Sequence, residues 1–157
     1  MESESDVSER EQSRPVTTVA TIVYRDGAFL LVEEETRAGI RLNQPAGHLE
    51  AGETLVAAAI RETLEETGYH VMPTALVGIY RWQTPATGAT FIRYAFAADV
   101  GAHEPDRPLD EGILRALWLS CDDLRASRAT HRSPLVMRCV DDFLAGRRHP
   151  ADLVTEL

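Results

Sequence analysis

The stretch AIRETLEETG, residues 59–68, carries the marks of a helix yet sets Glu62, Glu65 and Glu66 on one side of a single turn. Like charges three and four residues apart repel, each such pair costing a helix about 0.2–0.5 kcal/mol. Successive helical residues turn by about 100°, so with Glu62 as origin Glu66 falls about 40° to one side and Glu65 about 60° to the other. Val56, Ile60, Thr63, Leu64 and Thr67 gather on the opposite half, which predicts a core face there. Leu55, Ala58 and Ala59 share the acidic side, and the two alanines leave room above it. Thr54 is suited to the N-cap and Gly68 to the left-handed C′ position, so both ends are marked. No lysine is interleaved for helical ion pairs, and a loop bracketed by Gly47 and Gly52 precedes the helix. Hard divalent cations such as Mg²⁺ and Mn²⁺ take oxygen ligands, so converging glutamates and a loop carbonyl form a cradle for one. An EF-hand is excluded, because its alternating Asp and Asn loop does not occur.

Outward from this helix, PVTTVATIVY (15–24) is rich in β-branched residues and meets a turn signal at Arg25-Asp26-Gly27 before AFLLVEEE (28–35). That pattern predicts a hairpin. A short strand is expected over 41–44, stopped by Pro45. Three more are expected over 75–82, 90–100 and 113–120. SPLVMRCVDDFLAG (133–146) reads as a second helix, with Ser133 as cap, Pro134 at the first position and Gly146 as stop. The order of strands, helix, strands, helix predicts an α+β sandwich around a mixed β-sheet. Residues 1–15 read as a disordered acidic tail, 16–150 as a single domain and 151–157 as a C-terminal tail.

The 157 residues carry a formal net charge of −9, which argues against a long nucleic acid as partner, since phosphate backbones need basic surface. All 16 basic residues are arginine; that suits forked phosphate contacts, and a GC-rich genome produces the same bias. No apolar run approaches the roughly 18–20 residues that span a bilayer, so no membrane role is expected. The N-terminus lacks the apolar centre of a signal peptide. Cys121 and Cys139 match no metal-ligand spacing and nothing points to export, so a cytoplasmic location is expected.

From Gly47 the residues run Gly47, five residues, Glu53, seven residues, Arg61-Glu62, two residues, Glu65-Glu66, one residue, Gly68 and an apolar Tyr69. This resembles the signature of the Nudix hydrolases, with Thr63 standing where that family usually has an aliphatic residue. NQPAGHLE (43–50), ETLVAAA (53–59) and RSPLV (132–136) are similar to the NudJ-type branch, a group of small bacterial phosphatases. The resemblance implies an α/β/α sandwich, with Glu62, Glu65, Glu66 and the carbonyl of Gly47 or a neighbour holding Mg²⁺, for which Mn²⁺ can substitute. It makes Glu53 the orienting partner of Arg61. The proton acceptor is Glu65 or Glu66, or a carboxylate outside the box, for which Asp110 and Glu111 stand as candidates; both also read as solvated turn acids.

Arg93, Gln44, Glu33 and Trp82 are the candidate substrate contacts, Trp82 as a stacking surface for a base, with Arg25, Arg81 and His48 behind them. The resemblance implies Mg²⁺-dependent hydrolysis of a phosphoanhydride by water attack at phosphorus. The implied substrates are nucleoside di- and triphosphates and related small organic pyrophosphates, thiamine-precursor pyrophosphates included. Pro85, sixteen residues beyond Tyr69, resembles a proline of some ADP-ribose enzymes, a resemblance that implies instead an ADP-ribose or dinucleotide pyrophosphatase. A ligand-sensing fold without hydrolysis is the third reading, opposed by the complete set of box glutamates. A monomer or homodimer is expected.

Overall fold

A computed structural model describes residues 14–157, so the tail expected at the N-terminus lies almost wholly outside the described residues. Eight strands follow one another: β1 Val16–Ile22, β2 Tyr24–Arg25, β3 Ala28–Thr36, β4 Gly39–Asn43, β5 Ala46–His48, β6 Tyr69–Gln83, β7 Thr90–His103 and β8 Ile113–Ser120. Helix α1, Leu55–Thr67, stands between β5 and β6, while α2, Cys121–Ala126, and α3, Leu135–Leu144, follow β8. One sheet runs in the order β5-β1-β7-β6, with β1 and β7 parallel and the other pairs antiparallel. In the second, β3 pairs antiparallel with β2, β4 and β8. α1 packs on one face of the first sheet through Val19, Leu76 and Phe96, and α3 lies on the other side with Ala20, Ile22 and Ala95. The expected α+β sandwich around a mixed sheet is the architecture observed.

The expected hairpin is corrected. Only Tyr24 and Arg25 fold back on Ala28 and Phe29, across a two-residue turn at Asp26 and Gly27 with φ of 52° and 82°. The run before them joins the other sheet, where Val16–Ile22 lies beside Phe91–Ala97. The physical reason is burial: Val19, Ala20, Thr21, Ile22 and Val23 are all buried, so this strand is covered on both faces as interior strands are, and unlike the arm of a surface hairpin.

Both ends of α1 form as their residues require. Thr54 Oγ1 accepts from the Ala57 N–H at 3.0 Å, and Gly68 adopts φ 74° with its N–H on the Leu64 carbonyl. The helix is rotated from the expected orientation: Thr63 and Thr67 are in the core as expected, but the buried arc extends over the acidic side in place of Val56, Ile60 and Leu64. Leu55, Ala58, Ala59, Glu62, Thr63, Glu66 and Thr67 are buried, whereas Val56, Ile60 and Leu64 are only partly covered. Ala58 and Ala59 carry so little volume that the helix lies close on the sheet, and that closeness drives the adjoining glutamates inward. Thr63 is satisfied in the core by a hydroxyl bond to Thr21 at 2.8 Å and by its own donation to Ala59 O.

Other boundaries move for local reasons. β6 begins at Tyr69 despite Pro73, because it is an edge strand and the ladder to β7 shifts register between Pro73 and Ala75. Residues Ala46–His48, read as loop, form a short strand against β1. The six-residue α2, absent from the sequence reading, is capped by Ser120 Oγ on the Asp123 N–H at 3.1 Å. Residues read as a C-terminal tail fold back: Ala151 and Val154 pack on the α1 cluster, and Glu156 accepts from the Leu55 N–H at 2.8 Å. Cys121 and Cys139 are free, and no helix of the described residues is long and apolar enough to cross a membrane.

Candidate active site

The inward-turned side of α1 meets two other segments. β5 passes so close that a Cβ at Gly47 would fall on the carboxyl of Glu62, an approach that glycine alone permits. The loop between β7 and β8 docks on the C-terminal end of the helix through Glu104 N–H to Gly68 O at 2.8 Å and Asp110 N–H to Glu65 O at 3.0 Å. That docking carries the Asp110 carboxylate to the helix. Glu62, Glu65 and Asp110 each offer an oxygen within 4.8 Å of the others. Glu66 lies deeper and accepts from the Ala46 N–H at 2.8 Å. The donors are all carboxyl oxygens, and they converge where the backbone has been cleared of side chains; this set fits a hard divalent cation.

Arg61 holds the cluster from the solvent side. Nε and Nη2 donate to the two oxygens of Glu53 at 2.9 and 2.6 Å, Nη2 also reaches His48 O, and Nη1 donates to Glu62 at 2.8 Å and Glu65 at 3.1 Å. All five guanidinium N–H groups are thereby spent inside the protein. Glu53 in turn accepts from the Glu50 N–H at 2.8 Å, which fixes the loop ahead of the helix.

Burial sets the protonation states. Desolvation, with the Glu62, Glu34 and Asp110 charges adding to it, pushes the Glu66 carboxyl up to about 9 against the opposing Ala46 N–H. Glu62 is also raised by desolvation, although Arg61 opposes the shift. Glu53 is lowered, first through its bond to Arg61.

These shifts fix a pH dependence. A carboxyl with a raised folded-state pKa holds a proton that the unfolded chain has lost, so its contribution favours folding at low pH and is lost as pH rises through the folded value. For Glu66 that window runs from its ordinary 4.5 to about 9. His131, kept neutral by burial, tilts the other way around its ordinary 6.5, and lowered Glu53 acts only at more acid pH. The metal-free protein is therefore expected to melt at a lower temperature at pH ~8.5 than at pH ~5.5, and Mg²⁺ to raise the midpoint more at the higher pH. Differential scanning fluorimetry with and without EDTA checks both; a midpoint that rises steadily with pH in EDTA contradicts the assignment.

The remaining sequence candidates divide. Arg93 and Gln44 are brought together: Arg93 is 6% exposed, and its Nη1 and Nη2 donate to Gln44 Oε1 at 3.0 Å and Asn43 Oδ1 at 3.2 Å. Gln44 Nε2 is anchored on Val136 O at 2.8 Å, and the buried Arg93 Nε has no partner among the described residues. Arg93 shares a sheet face with Ala95, on the side away from α1. Glu33 is engaged instead by a forked pair with Arg115, both bonds 2.9 Å. Trp82 stacks on Phe91 near the β6–β7 turn. His48 supplies its carbonyl to Arg61, Arg25 lies over the Trp118 ring at 4.4 Å, and Arg81 and Glu111 are exposed outside the acidic cluster.

Two residues near the site escaped the sequence reading. Asn43 bridges Arg93 to Glu34, its Nδ2 donating to Glu34 Oε1 at 3.3 Å. Glu34, whose charge bears on Glu66, follows a register shift between Glu33 and Glu34 in the β3–β8 ladder. Strict alternation along AFLLVEEET hides that irregularity, so the strand pattern could not single out Glu34.

With the geometry in place, comparison with known proteins is direct. A family model for the NUDIX domain matches residues 14–139. The chain is 39% identical over 142 residues to Phosphatase NudJ of Escherichia coli (strain K12), covering 90% of this chain and 91% of that protein. The same figures relate it to Phosphatase NudJ of Shigella boydii. Its structure is similar to a NUDIX hydrolase from Nitrosomonas europaea, with a TM-score of 0.90, 48% identity and coverage of 92% of this chain and 98% of that one. An ADP-ribose pyrophosphatase from Streptococcus suis shares the fold, with a TM-score of 0.63 at 17% identity over 85% of this chain and 93% of that one. The box on α1, the sandwich that carries it and the extent of these matches agree: this chain belongs to the Nudix hydrolase family.

Proposed function

We propose that this pyrophosphohydrolase acts on small nucleoside di- or triphosphates or related organic pyrophosphates, with Mg²⁺ as its cofactor. One observation carries the reading: Glu62, Glu65 and Asp110 converge beside buried Glu66, against a strand stripped of side chain at Gly47. Glu62, Glu65, Glu66 and Asp110, with the Gly47 carbonyl, are the groups that would hold the ion. Bound there, Mg²⁺ supplies charge neutralisation between acidic helix and diphosphate and lowers the pKa of a water.

The chain's own residues do the rest. Water attacks phosphorus, the anhydride P–O bond breaks, and Glu65 accepts the proton; its side chain is 32% exposed and reachable from solvent. Arg61 holds Glu62 and Glu65 in place and Glu53 holds Arg61, a positioning chain from the loop into the helix. Arg93 and Gln44, buried and bonded to each other on the sheet face away from α1, are not supported as contacts for a substrate held at α1. Glu33 and Trp82 are likewise engaged elsewhere. The similarity to Phosphatase NudJ supports testing nucleotides and thiamine-precursor pyrophosphates first. Pro85 sits in the turn between β6 and β7, closed by Thr84 N–H to Ala89 O at 2.9 Å, and its place is explained by that chain reversal.

A panel of nucleoside di- and triphosphates, organic pyrophosphates and ADP-ribose, assayed with Mg²⁺ and with Mn²⁺ and with products identified, tests the reading. Metal-dependent release of orthophosphate is the expected result. AMP from ADP-ribose as the main activity would move the assignment to the dinucleotide class, and no turnover across the panel would overturn it.

A further inference from the structure

We propose that Arg132 is a substrate-binding residue, donating to the phosphoryl oxygens of a diphosphate held at the acidic cluster. The inference rests on the diphosphate reading above and concerns a residue far from the box in sequence. Residues 127–135 are laid against β4: His131 bridges to Leu42, and the Arg132 N–H donates to the Leu42 carbonyl at 2.7 Å. Ser133 Oγ then accepts from the Leu135 N–H at 3.2 Å just ahead of α3, whose cap position is Pro134 and not the expected Ser133. The backbone of Arg132 is thus fixed from both sides, one strand away from Glu34.

The guanidinium is placed but not consumed. Arg132 Nε stands 3.3 Å from Glu34 Oε1, and the side chain is 51% exposed. Glu34 accepts from Asn43 Nδ2 at 3.3 Å, and the chain three residues beyond Asn43 gives the Ala46 N–H to Glu66 at 2.8 Å, so Arg132 lies beside the strand that backs the cluster. Two arginines touch the acids of this site among the described residues, and they differ in what they have left to give. Arg61 has spent every donor on Glu53, Glu62, Glu65 and His48. Arg132 donates no side-chain hydrogen bond among the described residues, so its planar fork is available for the geometry that phosphate oxygens accept in pairs. A diphosphate carries more negative charge than its cations neutralise at the rim, and Arg132 is the cation at that rim with donors to spare.

The test uses imidodiphosphate, a non-hydrolysable diphosphate, titrated calorimetrically into the full chain in Mg²⁺. Arg132→Ala is expected to weaken binding about tenfold, in line with loss of a partly exposed charge-assisted pair. Arg115→Ala, which removes the same charge from the Glu33 pair outside the cluster, is the control and is expected to stay within about twofold. On a hydrolysed nucleotide, Arg132→Ala should raise KM about tenfold and move kcat by less than about threefold. Its melting midpoint should shift by no more than about 4 °C, as for a surface ion pair. Unchanged imidodiphosphate binding by Arg132→Ala, or an equal loss in Arg115→Ala, overturns the assignment. A wild-type protein that binds no imidodiphosphate in Mg²⁺ overturns the diphosphate reading and this proposal with it, so the two failures are distinguishable.

Discussion

Glu66→Gln is expected to reduce turnover by about three orders of magnitude, within the range seen when a carboxylate that handles protons or ligates at a catalytic centre is removed. The fold should not be the cause. Gln presents the same carbonyl oxygen to the Ala46 N–H that Glu66 Oε1 now accepts at 2.8 Å, and it fills nearly the same volume in a buried place. Because burial already pushes this carboxyl up to about 9, the side chain is largely uncharged at neutral pH in the metal-free protein. The neutral amide changes little in the folded structure but has no proton to take up on folding, so its midpoint should match wild type at or below pH 4.5 and exceed it by a margin that grows as pH rises to about 9. Steady-state kinetics together with melting curves in EDTA check the pair of results; a Gln variant that keeps near-normal turnover removes Glu66 from the site.

Gly47→Ala is expected to be nearly as damaging by a different route. The added methyl falls on the carboxyl of Glu62, which is buried and bonded to Arg61, so carboxyl and methyl cannot share the space. The cheaper escape is for Glu62, the end of a flexible side chain, to swing away, and overpacking of this kind costs about 1–3 kcal/mol. Stability should fall modestly while activity falls about 100-fold or more, because the displaced oxygen belongs to the convergent set. Adding Glu62→Ala to Gly47→Ala should cost little more activity than Gly47→Ala alone, since both remove one carboxylate from one place. Fully additive losses would show that the methyl acts through something other than Glu62.

What the sequence made legible was local. Thr54 and Gly68 announce the ends of α1 because capping chemistry is settled by the residues at the cap. Ile113–Ser120 appears with both of its limits because a turn precedes it and a helix cap follows it. What required the third dimension was partnership. VTTVATI reads as a strand, but nothing in it says that Phe91–Ala97 will lie beside it, so proximity in sequence pointed to a hairpin. The helix shows the same gap. Its apolar residues pointed to Val56, Ile60 and Leu64 as the core face, yet small size outweighed hydrophobicity, and Ala58 and Ala59 set the contact. Spacing alone brought Glu62, Glu65 and Glu66 together; Asp110 joined them only through a backbone bond from a loop, and Glu34 through an irregular ladder.

The parallel register between Val16–Ile22 and Phe91–Ala97 also orders events in time. A ribosome releases the first strand long before its partner exists, and closing so long a loop is slow and entropically opposed. β5, which carries Gly47, has β1 as its only ladder neighbour among the described strands. β5 and β1 are both made before Glu66, so Gly47 can reach the helix early; Asp110 cannot, and the acidic cluster is complete only after residue 110 has emerged although its signature is made in the first half.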